Sequence, residues 1–285
     1  MTVEWSLMTS LLLSWKYMLF LLLALAGWIL LSRNRPMRRS RLVLQGISFL
    51  TLGGILGIFL PWAAQAFGLH PSPMCSFGKG IAFPVVSGRI GHPMTLLVGA
   101  VVLFTLVGGK AFCAWVCPLG AFQELIGRIP GLGRHRLSFR LTNTIRAAAM
   151  ALFFVVLFTA ARITYDYFNP FEALHWTGLT KPLVWIPLVS VALASLYVYR
   201  PFCSLFCPIG LLSWAVERAS FGKIRVAPDC NGCGVCLKKT DCQALPALLE
   251  RSRVVPDCHG CGDCLGTCPT NALSWSWGRR RDAGA

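Results

Sequence analysis

The chain has 285 residues, of which 55% are hydrophobic and 13% charged, with a mean hydropathy of +0.61. Such a composition excludes an ordinary soluble domain and points to a membrane protein. The net charge of +16 raises nucleic acid as a partner, but the distribution of the basic residues assigns them another task.

Five apolar stretches are long enough, or nearly so, to span a bilayer: residues 7–31, 42–67, 94–109, 147–163 and 183–199. The last three are short and are expected to be extended by flanking residues. One such stretch reads equally well as a buried core helix; five in series with few internal charges do not. The first stretch carries its basic residues after the apolar run, so it reads as a retained anchor and not as a cleaved signal peptide.

Basic residues alternate along the loops. Arg33, Arg35, Arg38, Arg39 and Arg41 follow the first stretch, and Lys110, Arg128, Arg134, Arg136, Arg140 and Arg146 follow the third. Arg200, Arg218, Lys223 and Arg225 follow the fifth. The second loop holds only Lys79 and Arg89, and the fourth only Arg162 and Lys181, offset by Asp166 and Glu172. This is the positive-inside pattern. It predicts a multi-pass protein of a bacterial inner membrane with a periplasmic N-terminus and a cytoplasmic C-terminal region. The basic excess orients the chain, and no nucleic-acid partner is expected.

The segments expected outside are residues 61–93 and 164–181. The first carries His70, Cys75 and His92; the second carries Asp166, Glu172, His175 and the aromatics Tyr165, Tyr167, Phe168, Phe171 and Trp176. Oxidation of a quinol needs a proton acceptor near its hydroxyls, which such a mixture supplies. Aromatic side chains also crowd membrane interfaces without any such role. Cys75 is an odd thiol that reads as buried, reactive or paired with another protein. The chain has no haem attachment motif and no Gly-rich nucleotide loop.

Just past the third and fifth apolar stretches the chain repeats itself. Phe112-Cys113-Ala-Trp-Val-Cys117-Pro118-Leu119-Gly120 matches Phe202-Cys203-Ser-Leu-Phe-Cys207-Pro208-Ile209-Gly210. The pattern predicts duplicated halves, each delivering two thiols to the inner membrane face. Residues four apart share one helix face. Cys113, Cys117, Cys203 and Cys207 therefore read as redox or metal-ligating thiols, against the plainer reading of small packing residues.

The last third of the chain holds Cys230-x2-Cys233-x2-Cys236-x5-Cys242 and Cys258-x2-Cys261-x2-Cys264-x3-Cys268-Pro269. Triplets with two-residue gaps, followed by a fourth cysteine, are made for [4Fe–4S] clusters. Zinc sites instead use pairs separated by a longer gap. In the two-cluster arrangement the fourth cysteine of each run ligates the other cluster. Cluster I would then use Cys230, Cys233, Cys236 and Cys268, and cluster II would use Cys258, Cys261, Cys264 and Cys242. Five residues, not three, precede Cys242, and no proline follows it.

Two F-C-x3-C-P segments at the ends of membrane spans, followed by a two-cluster region, resemble the NapH/MauN group of ferredoxin-type membrane proteins. NosR and CcoG are more distant relatives in this comparison. The resemblance runs from about Leu42 onward, and the Asn169-Pro170 pair belongs to it. It implies cluster ligands at the eight cysteines just assigned and marks Cys113, Cys117, Cys203 and Cys207 as family cysteines. NapH-type proteins pass electrons from quinol to a partner iron–sulfur or cytochrome protein. The first stretch, starting outside, departs from NapH and favours MauN or another branch.

These observations predict a mainly α polytopic protein with about five transmembrane helices and a C-terminal α+β ferredoxin-like domain. Residues 1–220 are expected to form the membrane domain and residues 221–285 the cluster domain. The expected function is electron transfer between the quinone pool and a redox partner protein; the rival is a maturation factor supplying electrons for biogenesis of a periplasmic enzyme. A reporter fused after Ala285 is expected to behave as cytoplasmic, and one inserted in the loop of residues 61–93 as periplasmic. The reverse pattern would overturn the orientation.

Overall fold

The computed structural model describes residues 15–34, 38–60, 72–88, 92–129, 135, 137–166, 169–173, 183, 185–252 and 255–277. Residues 7–14 of the first stretch, Arg35, His70, Arg89, Arg134, Arg136, Tyr167, Phe168, His175, Trp176, Lys181 and the side chain of His92 lie outside the described residues.

The protein is mainly helical. Helices α1 (Trp15–Ser32), α2 (Arg38–Thr51) and α3 (Ile55–Phe59) come first. α4 (Pro73–Ser87) and α5 (His92–Gly108) follow, packed on each other, and then α6 (Ala111–Trp115) and α7 (Pro118–Ile126). The second half runs through α8 (Phe139–Ala160), α9 (Trp185–Tyr197), α10 (Pro201–Leu205) and α11 (Pro208–Glu217). Of these, α8 is long and apolar enough to cross a membrane, and only 22% of its apolar window is buried inside the protein. A soluble core helix would bury most of that surface. Tyr17–Ser32, Met94–Gly108 and Trp185–Tyr197 are shorter apolar helices, each with lipid-sized side chains exposed, such as Leu22, Leu103 and Ile186.

Two expectations about the spans need correction. Residues 42–67 do not form one helix. α2 ends at Thr51, and the chain turns at Gly53 and Gly54, the latter at φ 75°, before α3. α2 also buries Arg41, Gln45 and Ser48, so it is a polar core helix on one face. The segments expected as outer loops are not loops throughout either. Ser72 caps α4 through its hydroxyl and Pro73 opens the helix. The Asn169 side chain likewise accepts from the Phe171 amide. Tyr165, Asn169 and Phe171 are buried, with Tyr165 packed on Phe77 and Phe153. Cys75 is buried in the first turn of α4.

The two halves exchange helices. α7 follows α5 in sequence yet packs against α9 and α2, while α11 follows α9 yet packs against α5, α4 and α8. Each half thus embraces the span of the other.

After α11, strand β1 (Gly222–Val226) pairs antiparallel with β2 (Leu273–Trp277), Ile224 opposite Trp275. Between them lie both cysteine runs and the short helices α12 (Val235–Lys239) and α13 (Leu245–Leu249). This region is clamped to the helices. Asn34 at the end of α1 bonds both the N–H and the carbonyl of Trp275, and Trp115 Nε1 donates to the Gly260 carbonyl at 3.0 Å.

Buried ions fasten the same joint. Glu124 on α7 accepts from Arg41, Arg128 and Arg200, and Arg41 reaches on to Asp263 at 2.6 Å. Asp257 pairs with Lys110 and Arg146. Arg41, Lys110, Arg146 and Arg200, all counted in the charge alternation, are 2% exposed or less. Burial alone would raise the Glu124 carboxyl, but Arg200 and Arg41 reverse this and hold it well below the usual carboxylate range. Glu124→Gln strands buried guanidinium groups without their counter-charge, and such a break costs about 3–5 kcal/mol. The thermal midpoint of the detergent-solubilised protein is expected to fall accordingly. An unchanged midpoint would show that the network contributes little.

Candidate redox centre

The cysteines of the two C-terminal runs sit on loops whose backbone the sequence specifies closely. Both runs read Cys-x-Gly-Cys-Gly-x-Cys, a likeness that the cysteine spacing alone leaves out. The glycines before the middle cysteines, Gly232 and Gly260, hold φ +66° and +59°, a region that L side chains rarely adopt. There the chain curls tightly enough for three thiols to face one space.

The fold brings the cysteines together across the runs. Cys230, Cys233, Cys236 and Cys268 line one small pocket, with Gly232, Gly234 and Leu273. Cys242 lies close enough to Cys258 and Cys264 for their charges to interact, and Cys264 likewise to Cys261. The x5 gap does not keep Cys242 away from them, and α13, which follows it, packs on β1. Among the described residues, no three His, Cys, Asp or Glu side chains form a site for a single metal ion. A cube spreads its thiolates over separate irons, so an all-sulfur set around a larger space fits a cluster.

The two groups differ in setting. Cys233 is exposed, with Asn231, Gly232, Lys238 and Lys239 exposed around it. The Cys258–Cys264 loop is pressed against the helices, and the residues between its cysteines are its anchors. Asp257 binds Lys110 and Arg146, Gly260 accepts from Trp115, and Asp263 binds Arg41. Burial would raise the Asp257 carboxyl, yet Lys110 and Arg146 hold it low and ionised. Burial, with Arg200 and Lys110 nearby, pushes His259 down to about 3, so its imidazole is neutral. Half-buried Glu217 is pushed by burial up to about 8. Spacing arguments missed these residues. Only their positions beside cysteines, and the alignment of Lys110 with Arg200 in the repeat, could have flagged them.

The repeat cysteines also converge. Cys113, Cys117, Cys203 and Cys207 line one small cavity, together with Pro73, Met74, Phe171 and His259. Of the residues expected to receive a quinol, Phe171 lines this cavity. Tyr165 packs on Phe77 and Phe153, and Glu172 accepts from Asn169 at 3.3 Å.

Comparison with known proteins finds ferredoxin-type relatives. Residues 90–140 and 180–226 match the family described as 4Fe-4S binding domain, each match covering one copy of the repeat. The ferredoxin-type protein NapH of Escherichia coli is 30% identical over 205 residues, covering 64% of this chain and 69% of that protein. The methylamine utilization ferredoxin-type protein MauN of Methylobacillus flagellatus is 27% identical over 156 residues, 50% of this chain and 53% of MauN. The regulatory protein NosR of Pseudomonas aeruginosa is 24% identical over 161 residues, 49% of this chain and 21% of NosR. The chain spans about half the length of MauN and of several other curated relatives it matches. No solved structure matches. With the paired thiol segments, the doubled cysteine runs and the NapH match together, the chain belongs to the NapH/MauN-type ferredoxin-type proteins.

Proposed function

We propose that the protein is a multi-pass membrane electron carrier with two [4Fe–4S] clusters, moving electrons between the quinone pool and a redox partner protein. The observation that supports this most is the crossed grouping of the cysteines, Cys268 with the first run and Cys242 with the second. Residues 1–220 form the membrane part on this reading and residues 221–285 the cluster domain. Cys230, Cys233, Cys236 and Cys268 would hold cluster I; Cys258, Cys261, Cys264 and Cys242 would hold cluster II. When bound, the clusters supply one-electron redox chemistry.

The protein's own residues do the rest. Buried Arg41, near Cys261, and Lys110, near Glu217 and Asp257, put positive charge around the cluster II ligands. Such charge favours the reduced, more negative state and raises its potential. The exposed Cys233 loop with Lys238 and Lys239 suits docking of an acidic redox partner. The clamped loop faces the helices and the exposed loop faces away, so electrons would enter or leave the membrane side through cluster II and reach the partner through cluster I.

Anaerobically purified protein is expected to contain iron and acid-labile sulfide, and to show a cubane EPR signal on reduction by a quinol analogue. Absence of iron sinks the reading, and iron without reduction by quinol removes the quinone pool from it. The ligand assignment has its own test. Cys268→Ser is expected to perturb the same EPR signal as Cys233→Ser, and Cys242→Ser the one shared with Cys261→Ser. If Cys268→Ser instead pairs with Cys261→Ser, ligation is local within each run and the crossed assignment is wrong.

A further inference from the structure

The β1–β2 sheet does not hang away from the helices. One end of it is built into the last turns of α1 and α5. The Phe221 N–H, just before β1, donates to the Leu106 carbonyl at 2.8 Å. At Gly222 a Cβ would sit 2.7 Å from Val107 O and 2.2 Å from the Trp275 ring, so glycine alone lets the strand lie this close. Trp277, paired opposite Gly222, meets Trp28 of α1 edge-on with ring centroids 5.3 Å apart. Trp275 meets the same indole at 6.3 Å.

We propose that this end of the sheet, through Phe221, Trp277, Arg218 and Lys223, binds the headgroup of an anionic phospholipid and seats the sheet on the bilayer surface. This rests on the membrane reading and deepens it, since the sheet brackets both C-terminal cysteine runs.

Exposure is the first support. Trp277 and Phe221 are 52% and 50% exposed, although both belong to the part of the chain expected in water. The exposed apolar side chains of α1 and α5 lead up to them. Ile29 stands beside Trp28, and Leu103 one turn before Leu106. Aromatic rings at the end of a lipid-facing surface are the usual side chains of a membrane–water interface, where the apolar body and the polar edge each find a suitable medium.

Charge is the second. Arg218 is exposed, and its guanidinium lies 4.1 Å over the Trp214 ring, which holds it in place. Its carbonyl accepts from Lys223 Nζ at 2.8 Å, so the two cations are gathered together. The polar face of the sheet sets Lys223 opposite Ser276 and Arg225 opposite Ser274, all half-buried. Directly after Trp277 the sequence reads Gly278-Arg279-Arg280-Arg281. Residues 15–34, 92–110 and 218–226, and the sequence from Leu273 to Arg281, contain no Asp or Glu. Glu217 is the nearest acidic residue along the chain; it lies over Gly109, and burial pushes it up to about 8.

Together these make a surface of cations and hydroxyls beside exposed rings. Phosphate oxygens accept from Arg, Lys and Ser, and each cation near an anionic lipid surface adds to the attraction. An acidic protein would meet the same charges but would leave unexplained the rings that continue the apolar surface of α1 and α5.

The test compares two lipids. Full-length protein in detergent is titrated with phosphatidylglycerol and, separately, with phosphatidylcholine, and the lipid-bound fraction is read by native mass spectrometry. Wild type is expected to bind phosphatidylglycerol more tightly. Arg218→Gln is expected to weaken that binding about fivefold, and Arg279→Gln/Arg280→Gln/Arg281→Gln by more, at about fivefold for each charge removed. Trp277→Ser is expected to weaken both lipids. Iron content per chain is expected to stay at the wild-type value in all three variants. Equal affinity of the wild type for the two lipids overturns the proposal, whatever the variants do. Wild-type affinity for phosphatidylglycerol in both arginine variants also overturns it, since the lipid then sits elsewhere on the chain. Loss of phosphatidylglycerol from the arginine variants with no effect of Trp277→Ser overturns it too, in favour of an acidic protein partner. A wild type that stays soluble without detergent sinks the membrane reading itself.

Discussion

One buried carboxylate governs how the parts of this protein meet. Glu124, 2% exposed, takes hydrogen bonds or ion pairs from Arg41 and Gln45 of α2, from Arg128 of its own helix and from Arg200 at the start of α10. The N-terminal helices and both halves of the repeat therefore share a single anion. Arg41 then carries the connection to Asp263 in the Cys258–Cys264 loop. Such networks add little net stability over well-packed apolar residues. Their strength is in excluding alternatives, because any other register leaves a guanidinium buried without its partner. The cysteine loop is thereby held to one position on the helices.

The joint explains why so much of the cluster loop is not cysteine. Asp257, Gly260 and Asp263 are spaced three apart, in step with Cys258, Cys261 and Cys264, so every anchor stands next to a thiol. A shift in the helices that moves Lys110, Trp115 or Arg41 is transmitted to the neighbouring thiols. The other run has no equivalent set among the described residues. Its anchorage comes from the β1–β2 pair and from α12 and α13, leaving the Cys233 loop exposed.

Sequence reading recovered whatever is written as local chemistry. The cysteine runs, the F-C-x3-C-P repeat, its proline-led helices and the apolar character of α5, α8 and α9 are all local patterns, and the family followed from them. What it missed was decided across the fold. An arginine such as Arg146 looks the same whether it orients a loop at the membrane surface or sits 1% exposed against Asp257. Residues 42–67 are mostly apolar, with Gln45, Ser48 and Thr51 scattered among them, and that composition masks the turn at Gly53 and Gly54. The burial of Tyr165 and Phe171 depends on α8 and α4, remote in sequence, and no periodicity in residues 164–173 announces it.

The exchange of α7 and α11 between the halves has a consequence for what a half can be. Neither copy of the repeat closes on itself: α7 has its apolar seat on α9, and α11 has its seat on α5. Cut between α7 and α8, the chain would give two fragments that each expose the surface meant for the other. A protein bearing a single copy could bury that surface only by pairing with a second molecule of itself, as an isologous dimer around a true twofold axis. Its four thiols would then come two from each subunit, and the cavity would exist only in the assembled pair. Fusing two such chains makes that assembly permanent. It also frees the copies to diverge, as Lys110 and Arg200 have done at one and the same position of the repeat.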